Sequence, residues 1–478
     1  MNTQRLSPDL LVVDLDGTLL RSDMLYESLW SSFGRDWRTP FRTLANLSRG
    51  KAAVKRRLAE TSRIDFATLP YDEAVIAEVK RRRAAGARTV LMTASDQALA
   101  EGVAAHLGIF DEVHGSDGTL NLKSEAKVRF LQDSHPGRPY AYMGDAVADL
   151  PVWQHAALAI PVNASAAVRD RAAALGVRTE PLATAPARAR SHLRALRPHQ
   201  WLKNLLVFLP MLAAHDLSAA TFGASLLAFV GFCLVASSVY VTNDLLDLRS
   251  DRRHPRKRLR PFAAGDVPLR DGSLMSAGLF LAGLAVALAL GPAFAAVLAI
   301  YYVFTLAYSL NLKRRAVVDV CVLAGLYTMR IVAGAAATGI ALSVWLLAFS
   351  IFFFFALAAI KRQAELVDLV RRGKLDASGR GYTVEDVPVI SMMAIGAGYV
   401  SILVMMLYVN SPAVTGLYPR PEALWGICAV LLYWISRIAM LTHRGHMIDD
   451  PVVFAVRDRN SLVCAALILV FAVAGALG

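Results

Sequence analysis

Residues 10–18 read LLVVDLDGT. Leu10 to Val13 form a continuous apolar run that ends in two acids, Asp14 and Asp16, followed by Gly17. A short apolar run bounded by polar residues is the pattern of a strand buried on both faces of a parallel sheet. At a strand end, Asp14 and Asp16 point to the same side, and Gly17 lets the chain turn sharply. One acid can attack a phosphorus atom while the other moves protons, and Mg2+ fits between them and a phosphate. Two later stretches repeat the design, ARTVLMTAS at 87–95 and PYAYMGDA at 139–146. Helical stretches rich in Ala, Arg and Glu separate the three. This alternation predicts a parallel α/β sheet. Ligands of such sheets bind beyond the carboxyl ends of the strands, where all three runs turn polar.

The rest of the 478-residue chain is different in kind. Hydrophobic residues make up 55% of the whole and charged residues 19%, which excludes disorder and low complexity. Most of the charge precedes residue 200, and repeated apolar runs follow, each long enough to cross a bilayer. Nine spans are expected, near 202–214, 222–243, 273–291, 293–310, 317–339, 343–361, 388–409, 422–441 and 459–477. The chain divides into an α/β domain (1–185), a linker or interfacial helix (186–200) and a membrane domain (201–478). PLATAPARAR at 181–190 has linker composition, and the basic, Trp-containing segment 191–204 suits an interfacial helix. The four cysteines all fall in apolar runs without metal spacing, and buried, unreactive thiols are expected.

The formal net charge is +13. No nucleic-acid module accompanies it, and its cations crowd into the loops after spans 2, 4, 6 and 8, Lys374 and Arg380 among them; the alternate loops carry only Arg420. Such a bias marks the cytoplasmic side of an inner (plasma) membrane. With no signal peptide, the α/β domain and the basic loops share that side, and nine crossings leave the C-terminus outside.

A second cluster of acids closes span 2, in VTNDLLDLRSDRRHPRKRLRPFAAGDV (241–267). Helical spacing brings Asn243, Asp244, Asp247 and Asp251 onto one face. Carboxylates at a membrane edge are costly and mark functional sites. A row of them suits Mg2+ bridging a diphosphate, with Arg258 and Arg260 beyond to hold the outer phosphate oxygens. Arg330 lies inside span 5, where a charge needs a partner or a polar cavity.

The α/β portion resembles the haloacid dehalogenase (HAD) phosphatase superfamily in four motifs: DLDGT, Thr93 after a strand, Lys127 in KSEAKVRFL, and GDAVAD with Asp145 and Asp149. The resemblance implies Asp14 as nucleophile, Asp16 as general acid and base, Thr93 holding the phosphate and Lys127 neutralising the aspartyl-phosphate. A Mg2+ site would comprise Asp14, Asp16, Asp145 and Asp149, under a small helical cap over residues 22–80. Residues 195–478 resemble the UbiA-type prenyltransferase superfamily through NDxxDxxxD, the following Arg260-Pro261-x-x-x-Gly265 loop, and YSLNLK, which supplies Tyr308 and Lys313. Asp244, Asp247 and Asp251 would be catalytic and metal-binding. Aromatic prenyltransferases carry a second Asp-rich motif after span 6; here KRQAEL stands there, with Lys361, Arg362 and one acid, Glu365. That segment, with LRPHQWLKNLLVF at 196–208, resembles the decaprenyl-phosphate phosphoribosyltransferase branch. The branch implies phosphoribosyl pyrophosphate as donor, a polyprenyl phosphate as acceptor, and Lys313, Lys361 and Arg362 as phosphate ligands. Asp450, Arg457 and Asp458, before span 9, are further candidates. The alternative is prenylation of an aromatic or other small acceptor from a polyprenyl diphosphate.

Overall fold

The computed structural model describes residues 8–46, 48, 50–117, 121–182, 189–373, 381–447 and 450–477. Residues 183–188 of the expected linker, and the loop cations Lys374 and Arg380, lie outside the described residues. The chain forms two compact units, one from Met1–Leu196 with Tyr240–Ser276, the other from Arg197–Val239 with Ala277–Gly478.

The first unit is built on five parallel strands, β1 (Leu10–Val13), β2 (Arg88–Asp96), β3 (Glu112–Ser116), β4 (Tyr140–Gly144) and β5 (Leu158–Pro161), in the order β3-β2-β1-β4-β5. LLVV is therefore the central strand, wholly buried. Its residues alternate between two cores. Leu11 and Val13 pack with Val75, Val79 and Val103 on one face, and Leu10 and Val12 with Val128, Leu131 and Trp153 on the other. The helices are α1 (Met24–Phe33), α2 (Thr39–Asn46), α3 (Lys51–Thr61), α4 (Glu73–Ala84), α5 (Gln97–Leu107), α6 (Glu125–Ser134), α7 (Leu150–Gln154), α8 (Ala166–Ala173) and α9 (Ala189–Ala195). Asp23, Asp72 and Asp96 cap α1, α4 and α5, each accepting from the amide two residues on. The helical insertion after β1 comprises α1–α3. It is shorter than residues 22–80, because Val75, Ile76 and Val79 of α4 pack into the sheet core.

Residues 240–276 were assigned to the membrane domain by sequence, yet they cluster with this unit. The cause is a shared apolar core: Trp30 of α1 and Ala195 of α9 are buried with Val241, Leu245, Phe262 and Leu269.

The other long helices are α11 (Ala219–Leu246), α13 (Leu269–Leu290), α14 (Pro292–Leu310), α15 (Val318–Thr338), α16 (Val344–Arg371), α17 (Val387–Val409), α19 (Trp425–His443) and α21 (Arg459–Ala476), with short helices α10 (Leu209–Ala213), α12 (Leu248–Arg253), α18 (Pro412–Thr415) and α20 (Pro451–Arg457) between them. Among the described residues eight helices are long and apolar enough to cross a membrane. The first expected span is not one of them: it is a 3-10 helix, Pro198–Phe208, running into the five-residue α10. Pro210 has no amide hydrogen for an α-helical bond and its ring crowds the preceding turn, which disfavours one continuous α-helix there, and it sits in the first turn of α10. Spanning helices expose large apolar side chains, such as Val344 (77%), Leu288 (66%) and Leu469 (64%), as contact with lipid requires. This is an integral membrane protein. Cys233, Cys428 and Cys464 are buried as expected; Cys321 is exposed, on α15.

At the centre of the second unit Arg362 is fully buried and pairs with Asp319 and Glu365, while the Tyr382 hydroxyl donates to Asp319 at 2.5 Å. Removing one partner leaves an uncompensated buried charge. Arg362→Leu is expected to destabilise the detergent-solubilised protein by about 3–5 kcal/mol, read as a lowered thermal midpoint. Arg362→Leu/Asp319→Leu should recover part of that loss.

Candidate active sites

The loops after β1, β2 and β4 meet at the carboxyl end of the sheet, and Asp14, Asp145 and Asp149 offer ligand atoms that all lie within 4.8 Å of one another. Lys127, from α6, donates to Asp14 Oδ1 at 2.8 Å and to the Tyr142 hydroxyl at 2.7 Å. Tyr142 in turn donates to Asp149 Oδ1 at 2.8 Å. The other Asp149 oxygen accepts the amides of Asp145 and Ala146, both at 3.1 Å, which holds the turn after β4. Three carboxylates thus face one ammonium. Burial, then the neighbouring negative charges, push Asp145 up to about 8. Burial likewise lifts Asp14 to about 7 against the pull of Lys127. Lys127 loses affinity for its proton by burial, but the charges of Asp14 and Asp149 outweigh this and leave it above its usual value. The donor set is all oxygen and carries excess negative charge, which fits a hard divalent cation.

Asp16 is not part of that trio. Its Oδ1 accepts the Met24 amide at 2.8 Å, and its Oδ2 accepts from Ser95 Oγ at 2.6 Å and Thr93 Oγ1 at 3.3 Å. It therefore faces the cap, and burial raises it to about 6. Lys55 reaches in from α3 to donate to the Ala94 carbonyl at 2.6 Å. A cavity of about 10 Å³ lies beside Met24, Lys55 and Ser95, where the cap meets the end of β2. Ser95, Lys55 and Tyr142 were not singled out by sequence; a hydroxyl two residues after Thr93 is the one signal that pointed to any of them. Gly17 has φ +78°, and a Cβ there would stand 2.3 Å from Asp145 Oδ2.

In the Asp-rich segment, Asp244 and Asp251 are both buried and converge on one nitrogen of Arg260, at 3.1 and 2.5 Å. Burial raises Asp251 despite that guanidinium. The helix breaks at Asp247, between α11 and α12, so the row does not continue on one unbroken helical face. Asp247 is half-buried in the break, and the buried Oδ1 of Asn243 accepts no hydrogen bond among the described residues. Arg258 is exposed. Arg252, one of the loop cations, is buried and forks onto Glu27 of α1 at 2.6 and 3.1 Å. Arg253 pairs with Asp65. A Cβ on Gly265 would stand 2.7 Å from Arg21 Cβ. The loop is thus seated on the α/β domain and its helical insertion.

The second unit holds the remaining candidates. Lys203 and Lys361 share one oxygen of Asp450, at 2.7 and 3.0 Å. Burial opposes ionisation of Asp450, but the two ammonium groups overcome it and hold the carboxyl far below its usual range. Lys203 was missed by sequence, although it sits inside LRPHQWLKNLLVF. Arg330 donates to Asn204 Oδ1 at 2.9 Å and the Tyr301 hydroxyl at 3.2 Å, among the rings of Phe232, Tyr301 and Tyr327. Arg362 is enclosed by Asp319 and Glu365, so neither arginine presents a bare guanidinium. Tyr308 and Lys313 are half-buried. Asp458 is paired with Arg437 at 2.7 Å.

A family description, UbiA prenyltransferase, matches residues 204–446. A protein of Sinorhizobium fredii, y4nM, is 38% identical over 466 residues, 96% of this chain and 89% of that one. The chain belongs to the UbiA prenyltransferase family. Residues 11–154 match the haloacid dehalogenase-like hydrolases. It is therefore a membrane enzyme, a prenyltransferase-family domain fused to a phosphatase domain. The nodulation protein NoeC of Azorhizobium caulinodans is 41% identical over 288 residues, 59% of this chain and 92% of that protein. The decaprenyl-phosphate phosphoribosyltransferase of Mycolicibacterium smegmatis is 41% identical over 198 residues, and the match spans 40% of this chain and 62% of the relative. A UbiA homologue from Archaeoglobus fulgidus, solved with DMAPP and Mg2+, is 15% identical with a TM-score of 0.45, over 60% of this chain and 97% of that one.

Gly17→Ala is expected to abolish hydrolysis of p-nitrophenyl phosphate by pushing Asp145 out of the trio, while the thermal midpoint of the second unit stays unchanged.

Proposed function

We propose that the membrane domain transfers phosphoribosyl from phosphoribosyl pyrophosphate to a polyprenyl (decaprenyl) phosphate, and that the HAD-like domain then removes the 5-phosphate. The observation that carries this reading is the pair Lys203 and Lys361 on the single carboxylate of Asp450. Where a second Asp-rich motif would hold another metal-bound diphosphate, the chain offers surplus positive charge, which suits a lipid phosphate. The similarity to decaprenyl-phosphate phosphoribosyltransferases points the same way.

In the transfer, an oxygen of the lipid phosphate bonds to C1 of the ribose as the bond from C1 to pyrophosphate breaks. Asp244, Asp247 and Asp251 would hold Mg2+, which supplies positive charge for the departing pyrophosphate. Arg258, Arg260, Lys313 and Arg330 are candidate phosphate-binding residues, with Asn243, Tyr308 and Glu365 as candidate polar ligands of the donor. In the phosphatase, Asp14, Asp145 and Asp149 would hold a second Mg2+. Asp14 attacks phosphorus, and Asp16 gives its proton to the departing ribose oxygen. Asp16 then takes a proton from the water that hydrolyses the aspartyl-phosphate. Lys127 holds Asp14 in place, and Thr93 is aligned by Asp16 and the Ser95 amide. Tethering both sites in one chain raises the effective concentration of the second toward the product of the first. The basic loops support a cytoplasmic position, at the inner membrane, for the HAD-like domain and both sites. An outside C-terminus would in addition require residues 198–213 to cross as a ninth span.

Membranes containing the enzyme are incubated with labelled phosphoribosyl pyrophosphate or, separately, a labelled prenyl diphosphate. Label from phosphoribosyl pyrophosphate is expected to enter the lipid fraction, and the prenyl diphosphate, itself a lipid, to be recovered unreacted. Asp247→Ala should abolish the first, and Asp14→Asn should leave a lipid product that retains its 5-phosphate. Transfer of the prenyl label to a new, chromatographically distinct product, with none from phosphoribosyl pyrophosphate, would overturn the transfer chemistry.

Metal binding also has a defined pH dependence. The acids raised to about 7 and about 8 must lose protons to bind a cation. Affinity for Mg2+ at the phosphatase site therefore rises with pH. The Mg2+ concentration giving half-maximal p-nitrophenyl phosphate hydrolysis should increase as pH falls from about 8 to about 6.

A further inference from the structure

The cap helix α2 is at odds with its own fold. It buries only Thr39. Phe41 and Leu44 lie three residues apart on α2 and Trp37 in the turn just before it, and they are 67%, 66% and 57% exposed. The polar side of the helix borders an open cavity of about 360 Å³, lined by Arg35, Thr43, Asn46, Arg57 and their neighbours, rather than a packed core. A row of three large apolar side chains, two of them aromatic and in mutual edge contact, does not arise from packing within this unit.

The surroundings define what covers it. Between residues 35 and 57 the sequence places eight cations and one acid. Arg38 lies over the Trp37 ring at 5.4 Å, and Arg42 is paired with that acid, Asp36, at 2.6 Å. An aromatic and aliphatic face rimmed by arginine is the composition of a helix lying in a bilayer interface, with Trp at headgroup depth. The position agrees. The preceding helix, α1, buries Trp30 against Leu245 and Leu269 and donates its indole N–H to Ser273 at 3.0 Å. Those residues belong to α11 and α13, two helices long and apolar enough to span the membrane. A Cβ on Gly34, three residues before Trp37, would meet the Leu246 carbonyl at 3.7 Å. From α1, which packs against the ends of these helices, the chain enters α2 within a few residues.

We infer that α2 is a membrane-surface anchor of the phosphatase cap, with Trp37, Phe41 and Leu44 seated among the anionic headgroups of the bilayer that the chain spans. The anchor keeps the cap at the level where the phosphate of a lipid-borne substrate lies, and it requires nothing of the transfer chemistry proposed above.

The test uses the full chain with Cys321→Ser, an environment-sensitive thiol probe at Phe41→Cys, and reconstitution into vesicles of phosphatidylcholine with or without phosphatidylglycerol. A probe at Lys80→Cys, on the exposed side of α4, is the reference. In the anionic vesicles the probe at 41 is expected to be blue-shifted, about twofold quenched by nitroxide-headgroup lipid, and several-fold less accessible to iodide than the probe at 80. Arg38→Gln/Arg42→Gln should lower the nitroxide quenching. Trp37→Ser/Leu44→Ser should abolish it while p-nitrophenyl phosphate hydrolysis, a check on folding, is retained. Equal iodide access at positions 41 and 80, with no nitroxide quenching in either vesicle, would overturn the inference; it would mean that a protein partner, or nothing, covers this face.

Discussion

A carboxylate withdrawn from water must share its charge with a cation or give it up. That constraint organises both units. Where acid and base balance, the result is architecture: Glu27 and Arg252 form a buried pair that fixes one segment against another. Where they do not balance, the result is chemistry. Asp14, Asp145 and Asp149 face one lysine, and the proton affinities of Asp14 and Asp145 climb until a divalent cation is the natural completion. Asp450 shows the opposite surplus, with two lysines on one oxygen and its proton driven off.

The Asp-rich segment stands between these cases. Asp244 and Asp251 are held by Arg260, so the guanidinium occupies the point on which both carboxylates converge. Asp247 lies half-buried in the helix break, close enough to Asp251 for its charge to raise that acid's proton affinity. Assembly of a cation site here requires Arg260 to give way, which its position on a loop rather than a rigid helix permits.

The same loop is the floor on which the phosphatase cap rests. Arg252 and Arg253 reach Glu27 and Asp65, Gly265 admits the Arg21 backbone at close range, and Trp30 fills the apolar space between. A cation cluster beside a membrane reads from sequence as a topology signal, and in part it is one. Half of its arginines nevertheless have partners more than 180 residues earlier in the chain. No local pattern encodes a pairing at that separation, because each side chain is an ordinary surface residue until the fold brings its partner.

The sequence by itself determined what depends on short-range spacing. LLVV followed by two acids can only be a buried strand ending in a site, and the polar ends of β2 and β4 specify where the loops converge. Apolar run length determined the spanning helices from α11 onward, since bilayer thickness sets a minimum length that composition reveals. It overreached at residues 198–213, where Pro210 interrupts a run of sufficient hydrophobicity. Tertiary structure alone decided which charges stayed paired. Arg330, an intramembrane cation, needs a counter-charge or dipole and meets Asn204 and Tyr301, while Arg362, a phosphate ligand by resemblance, pairs with Asp319; all three partners come from other segments. It also decided that residues 240–276 pack with the first unit, because the apolar surface of Trp30 and Ala195 is buried by Val241, Leu245 and Phe262, contacts that exist only once the chain has folded back on itself.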